Sequence, residues 1–212
     1  MVIVELGLHR LSAGLGVSAF LVIADVPVLV DTGLRGWGKS VLRQLRAIGT
    51  MPEWIVLTHG DPDHLGNVDL IRQATGARVC AAADERPVIE RTIIATNWAR
   101  ATLMALLAPP GPFVDRWLGD GDRIGGVEVI ATPGHTPGHV ALRWGDALIV
   151  GDAFVTGDRA RESPALLNMD RDLARTSVKR LANLDIDLAV SSHGRPMLNA
   201  ARRTQALVDT WS

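Results

Sequence analysis

The feature that most constrains this chain is an alternation. Short apolar, β-branched runs end in polar turns that carry histidine and aspartate. Four such junctions stand out: residues 58–64 (THGDPDH), 132–139 (TPGHTPGH), 151–154 (GDAF) and 191–194 (SSHG). Each follows a run that reads as a strand, and helical stretches separate several of the runs. Strands alternating with helices indicate an α/β layered chain, not a helix bundle. In layered sheets the loops at one strand edge converge, and sites form there.

The periodicity fills in the elements. Residues 2–6, 18–23 and 26–30 read as strands, the last running into the turn Asp31, Thr32, Gly33. Val41, Leu42, Leu45 and Ile48 share one face of a helix over 39–48, which Gly49 stops. Residues 54–57 form an apolar run expected of a strand buried on both faces. A helix is expected from His64 to about residue 75, then a strand over 77–82. Residues 87–107 read as one helix, with Ile89, Ile93, Ile94, Trp98, Ala101 and Met104 on a broad apolar face; Pro109, Pro110 and Pro112 break the chain after it. Strands at 127–131, 140–144, 147–150 and 188–191 and helices at 170–184 and 199–211 complete the reading.

Size and charge exclude several classes. A chain of 212 residues with 47% hydrophobic and 21% charged residues can bury a core and is not disordered. No uncharged run approaches the roughly 18 residues a membrane-spanning helix needs. The net charge is −1, so no global positive field gathers nucleic acid. Lysine occurs only at Lys39 and Lys179, and every other basic residue is arginine; the sequence alone attaches no function to that excess. Cys80 is the one cysteine, which excludes an internal disulfide and reads as a buried thiol. The first residues lack a basic, then apolar, then small-residue leader pattern, so cytoplasmic residence is expected.

Histidine and carboxylate together are ligands for zinc, iron or manganese. His59, Asp61, Asp63 and His64 place four ligand-type side chains within one short loop. Either Asp61 or Asp63 could instead cap the following helix, but a cap needs one acid and leaves the two flanking histidines unexplained. His139 reads as a supporting or structural histidine beside His135. His9 lies outside every motif.

These segments together resemble the metallo-β-lactamase superfamily, whose first motif has the form H-x-H-x-D-H, followed by a distant histidine, an aspartate and a last histidine. The matches are His59, Asp63, His64, His135, Asp152 and His193. The resemblance implies a four-layer αββα sandwich, a single domain over 1–212 with a helical insert at about 85–118, and two divalent metal ions. It places His59, Asp61 and His135 at one metal and Asp63, His64 and His193 at the other, with Asp152 bridging. Asp61 stands where the family usually has a second histidine. Zinc is the metal expected first; two histidines and a carboxylate make the set often used for non-haem iron, so iron and manganese are the alternatives. Asp31 and Thr58 match supporting positions that orient ligands.

The chemistry this resemblance implies is hydrolysis of an ester, thioester or lactone carbonyl by a metal-bound hydroxide, with Asp63 as the residue that receives the water's proton. Two alternatives keep the same fold: an iron-dependent oxidoreductase of the sulfur dioxygenase or flavodiiron kind, and a phosphodiesterase. The expected partner is a small-molecule substrate, with no nucleic acid and no membrane. The apolar face of 87–107 would suit substrate cover or a homodimer contact.

Overall fold

The computed structural model describes residues 2–5, 7–93, 101, 102, 106 and 109–211. Seven strands form the first sheet in sequence order: β1 (Val2–Glu5), β2 (Leu8–Ser12), β3 (Ser18–Ile23), β4 (Pro27–Val30), β5 (Trp54–Val56), β6 (Arg78–Ala82) and β7 (Arg116–Leu118). The first four pair antiparallel, and β4 to β7 run parallel. The second sheet has the order β15-β14-β11-β10-β9-β8, built from β8 (Arg123–Ile124), β9 (Val127–Ala131), β10 (Val140–Trp144), β11 (Ala147–Ile149), β14 (Leu188–Val190) and β15 (Met197–Leu198). A hairpin of β12 (Phe154–Val155) and β13 (Arg161–Glu162) stands apart. Among the described residues, the α-helices with defined bounds are α1 (Gly38–Ile48), α2 (Pro62–Leu65), α3 (Val68–Thr75), α4 (Arg86–Ile89), α5 (Arg171–Ala182) and α6 (Ala200–Asp209).

Strand alternation sorts the core into three seams, because successive side chains leave opposite faces. Phe20, Val22, Val28, Val30, Val56 and Cys80 from the first sheet meet Val129, Val140, Leu142, Ile149 and Val190 from the second. The intervening residues Leu21, Leu29, Ile55 and Val79 face outward, against Val41 and Leu45 of α1 and Ile71 of α3. On the far side Ala141, Leu148 and Ala189 meet Val178 and Leu181 of α5 and Leu207 of α6. Helices, sheet, sheet and helices therefore stack as the four layers expected. Burying each such aliphatic side chain contributes about 1.5–3 kcal/mol relative to leaving it in water. Helix ends follow local chemistry: Gly49 takes φ 81° and closes α1, and the Asp170 carboxylate accepts from the Leu173 N–H to start α5.

Two expectations about helices need correction. The stretch from His64 to residue 75 is two helices, with Pro62 opening the first in a place that needs no N–H. They part at Gly66 and Asn67, because the Asn67 carboxamide is committed elsewhere. It donates to the carbonyls of Thr32, Gly33 and Leu34 and accepts from the Gly38 N–H. The helix read over 87–107 is interrupted after Ile89, since Arg91 adopts φ 60°, which no α-helix continues through; the described residues Ala101, Thr102 and Leu106 are helical again. Ile94, Trp98 and Met104 of its apolar face lie outside the described residues, as does most of the rest of that segment. Strand β2 escaped the sequence reading, as did the short β7, β8, β12, β13 and β15.

Candidate metal centre

The strands deliver the predicted residues to one edge. Asp31 follows β4, residues 58–64 follow β5, 132–139 join β9 to β10, Asp152 follows β11 and His193 follows β14. His59, Asp61 and His135 form one group of ligand atoms, and Asp63, His64 and His193 form another. Asp61 Oδ2 lies 3.6 Å from His59 Nε2 and 3.4 Å from His135 Nε2. Asp63 Oδ2 lies 3.1 Å from His193 Nε2 and 3.8 Å from His64 Nε2. The Asp152 carboxylate sits between the groups, with Oδ1 3.6 Å from His64 Nε2 and Oδ2 3.3 Å from His193 and 3.8 Å from His135. All seven residues predicted as ligands are thus brought together. Asp61 occupies the residue before α2, yet its side chain makes no capping hydrogen bond. Its carboxylate is turned to the imidazoles instead.

Behind the ligand atoms lies a layer that fixes them. Asp31 takes φ 59° and is buried. Its Oδ1 accepts from the Thr58 N–H at 2.8 Å, and its Oδ2 accepts from the Thr58 hydroxyl and faces His64 Nδ1, each at 2.8 Å. Because the Thr58 hydroxyl donates to Asp31, its oxygen is left to accept from His59 Nδ1 at 3.0 Å. Both imidazoles are thereby held with Nε2 toward the cluster, the arrangement metal-binding histidines require. His139 is not among the ligand groups. Its Nδ1 meets the Thr132 hydroxyl at 2.8 Å and its Nε2 accepts from the Asp152 N–H at 3.0 Å, so it anchors the Asp152 backbone.

Two residues outside the sequence reading belong to the same framework. Asn168 Oδ1 lies 3.0 Å from His135 Nδ1, the same service that Asp31 renders to His64. Glu85 is wholly buried; Oε1 accepts from the Gly60 N–H at 2.8 Å, and Oε2 accepts from the Thr136 hydroxyl at 2.8 Å and the Gly138 N–H at 2.9 Å. One carboxylate therefore ties the loop of His59 and Asp61 to the loop of His135. Burial pushes the Glu85 carboxyl up to about 7, while the hydrogen bonds it accepts work downward. The backbone at Gly138 approaches Glu85 so closely that no side chain fits there.

The charges are arranged for cations. Burial works to raise Asp152, yet the His64 and His193 imidazoles hold its carboxyl well below the usual range. Burial opposes charge on His193 too, but Asp152 and Asp63 push it up to about 10. His64 is likewise held well above its ordinary value by Asp31, Asp63 and Asp152 against the effect of burial. Burial and the neighbouring imidazole of His64 lower His59, and burial and His59 lower His139 well below. Buried His59 Nε2, His64 Nε2 and Asp152 Oδ1 make no hydrogen bond, although such groups are costly to leave unsatisfied. Divalent cations fit that set of donors: imidazole Nε2 and carboxylate oxygen are ligands, and the anchored Nδ1 sides fix their aim.

The sequence profile of the metallo-β-lactamase superfamily matches residues 13–193, nearly the whole chain and every ligand position. The chain belongs to the metallo-β-lactamase superfamily. Among superfamily relatives, a probable metallo-hydrolase of Bacillus subtilis (strain 168), YflN, is 26% identical over 90% of this chain and 85% of its own length. A hydroxyacylglutathione hydrolase of Acidiphilium cryptum (strain JF-5) is 34% identical over 87% of this chain and 63% of its own. One from Pseudomonas putida is 38% identical over 46% of this chain, and the match spans 31% of that protein. A crystal structure of TTHA1623 in a di-iron-bound form superposes with a TM-score of 0.74 at 28% identity, covering 90% of this chain and 94% of that one. This superfamily chain is a metal-dependent hydrolase by kinship. Among its described residues, no helix is long and apolar enough to cross a membrane.

Proposed function

We propose that this protein hydrolyses an ester, thioester or lactone carbonyl at a two-metal centre. His59, Asp61 and His135 would hold one divalent ion and Asp63, His64 and His193 the other, with Asp152 serving both. The observation that carries this reading is the Asp152 carboxylate, which faces an imidazole of each group, at His135 and at His193. When bound, two such ions supply an acidified water and polarise the oxygen of the scissile bond.

The chain's own residues do the rest. Asp31, Thr58 and Asn168 keep the imidazoles in one tautomer and orientation, so that no reorganisation accompanies the reaction. His139 and the loop after β11 fix where Asp152 points. Asp63 is the candidate for handling the proton. Burial works to raise its carboxyl, yet His64 and His193 hold it low, so it is ionised and able to accept a proton. Water adds to the carbonyl carbon, its proton passes to Asp63, and the bond from that carbon to the oxygen or sulfur of the leaving group breaks. The proton then goes to the leaving alkoxide or thiolate. No serine or cysteine nucleophile takes part in this scheme; Cys80 is buried between the sheets, where burial pushes its thiol up to about 12.

A second reading has specific support. The carboxylate of Asp61 hardens one ligand group, and the TTHA1623 relative is described in a di-iron-bound form. Iron in this site, with an oxidative reaction on the same fold, is the alternative to zinc-dependent hydrolysis.

The test is Asp152→Ala, made in protein expressed without added metal and assayed on a panel of esters, thioesters and lactones. The account expects a folded protein with less bound metal and no turnover. Two metals per chain and unchanged turnover in the variant would exclude the shared-carboxylate role. Assaying the parent protein with and without oxygen separates hydrolysis from the oxidative alternative.

A further inference from the structure

Next to the ligand His193 lies a cleft of about 560 Å³ whose walls carry an excess of positive charge. Arg10, Arg159, Arg161 and Arg195 line it against a single acid, Asp158. The chain as a whole has a net charge of −1, so this concentration is local. Ion pairing does not dissipate it. Arg195 meets Asp158 at 3.0 Å, but the two side chains are 74% and 90% exposed, where water screens the attraction. Arg10 Nε donates to the Ser18 hydroxyl at 2.7 Å, a neutral partner that orients the guanidinium and leaves its charge in place. The nearest acid along the chain, Glu162, is already held by Arg171 and Arg175. Among the described residues, Arg159 and Arg161 meet no carboxylate at ion-pair distance.

The frame that holds these like charges together is built from polar contacts, those between Thr156 and Ser191 buried. The Thr156 N–H donates to the Ser191 hydroxyl, and the Ser191 N–H donates to the Thr156 hydroxyl, each at 3.0 Å. Arg203 Nη1 donates to the Asp158 carbonyl at 2.9 Å, and the Ser18 N–H donates to the Ser192 carbonyl at 2.9 Å. Residues 156–161 and 191–195 and strands β2 and β3 are thereby joined around the cleft. Clustered guanidiniums repel one another, and a planar or tetrahedral oxyanion relieves that repulsion with charge-assisted hydrogen bonds.

We propose that this cleft binds an anionic group of the substrate, a carboxylate or a phosphate, borne on the part of the molecule that extends from the scissile carbonyl past His193. The proposal rests on the hydrolase reading and narrows its substrates to anionic esters, thioesters or lactones. Charge-assisted hydrogen bonds of this kind are worth about tenfold or more in affinity.

The experiment uses metal-loaded protein and probes that cannot be hydrolysed: 3-(butylthio)propanoate, the neutral alcohol 3-(butylthio)propan-1-ol, and 2-(butylthio)ethylphosphonate, with affinities from calorimetry. The expected result is binding of one or both anionic probes about tenfold or more tighter than the alcohol. The gap should narrow as salt rises from about 0.05 to about 0.5 M. The tighter of the two anions identifies the source of charge. In Arg159→Gln/Arg161→Gln the anionic preference should collapse, with metal content unchanged. Binding of both anions no tighter than the alcohol, or a loss in the variant that is the same for charged and neutral probes, would overturn the proposal. Rates on the matching esters, thioesters and lactones are read separately. Discrimination among the probes with no cleavage of any anionic ester, thioester or lactone would sink the hydrolase reading and leave the anion site standing. Cleavage with no preference for charge would do the reverse.

Discussion

Asp61 shows what a single residue decides. A histidine at this position would give one group three neutral ligands, whereas the carboxylate adds a negative charge and a harder oxygen. It reaches both His59 and His135, so its shorter side chain does not remove it from the cluster. Asp61→His should therefore raise the preference for zinc over iron and manganese. It should also shift the pH at which activity turns on downward, because losing an anionic ligand makes the ions stronger Lewis acids. Competitive metal loading and a pH–rate profile of both forms check this; identical selectivity and an unmoved profile would mean that Asp61 does not touch the metal. The histidines carry a second expectation. In the metal-free protein His193 is pushed up to about 10 and His64 is also raised, so both hold protons at pH 7. Ligation needs the neutral imidazole. Metal uptake at pH 7 should therefore release protons, and apparent affinity should rise with pH up to about 10. Titration with metal in weak buffer reads this directly, and uptake with no proton release would contradict it.

At the scale of elements, the site depends on loops that strands deliver and polar side chains lock. The ligand residues were legible in the sequence because each sits at the end of an apolar run and histidine with aspartate is a distinctive chemistry. The locks were less legible. Asn168 and Glu85 are ordinary polar residues far along the chain from what they hold, and only the folded geometry brings Glu85 to Gly60, Thr136 and Gly138. The same limit explains the helix read over 87–107. Periodicity registers Ile89 and Ile93, but it does not register that Arg91 turns out of the helix to donate to the Gly60 carbonyl. Glu85→Gln tests the lock. All the groups Glu85 meets there are donors, so an amide N–H₂ facing any of them leaves a buried donor without an acceptor. The expected cost is about 1–3 kcal/mol of stability, with weakened metal retention as the two loops part. Thermal unfolding with and without metal checks it, and a variant with unchanged stability and full metal content would show that Glu85 locks nothing.

For the whole molecule, the four layers matter because they set two sheets edge-on to one point. Parallel pairing of β4 with β5 and of β11 with β14 directs Asp31, the 58–64 loop, Asp152 and His193 to the same side. The strands were readable as apolar runs, but the seams were not: residues 19–23 are apolar throughout, and only the fold sends Phe20 and Val22 between the sheets and Ala19 and Leu21 toward the helices. The accessible surface of 9567 Å² agrees with the roughly 9,500 Å² that scaling gives for a compact chain of this mass. Short strands such as β12 and β13 carry no pattern to read, yet their hairpin places Arg159 and Arg161 in the cleft.

The central claim is that one carboxylate, Asp152, serves two metal ions held by two separate ligand groups. Anomalous X-ray diffraction from crystals of the metal-loaded protein measures this most directly. The account predicts two anomalous peaks per chain, one among His59, Asp61 and His135 and one among Asp63, His64 and His193, with Asp152 in contact with both. A single peak, or two peaks with Asp152 contacting neither or only one, would contradict it.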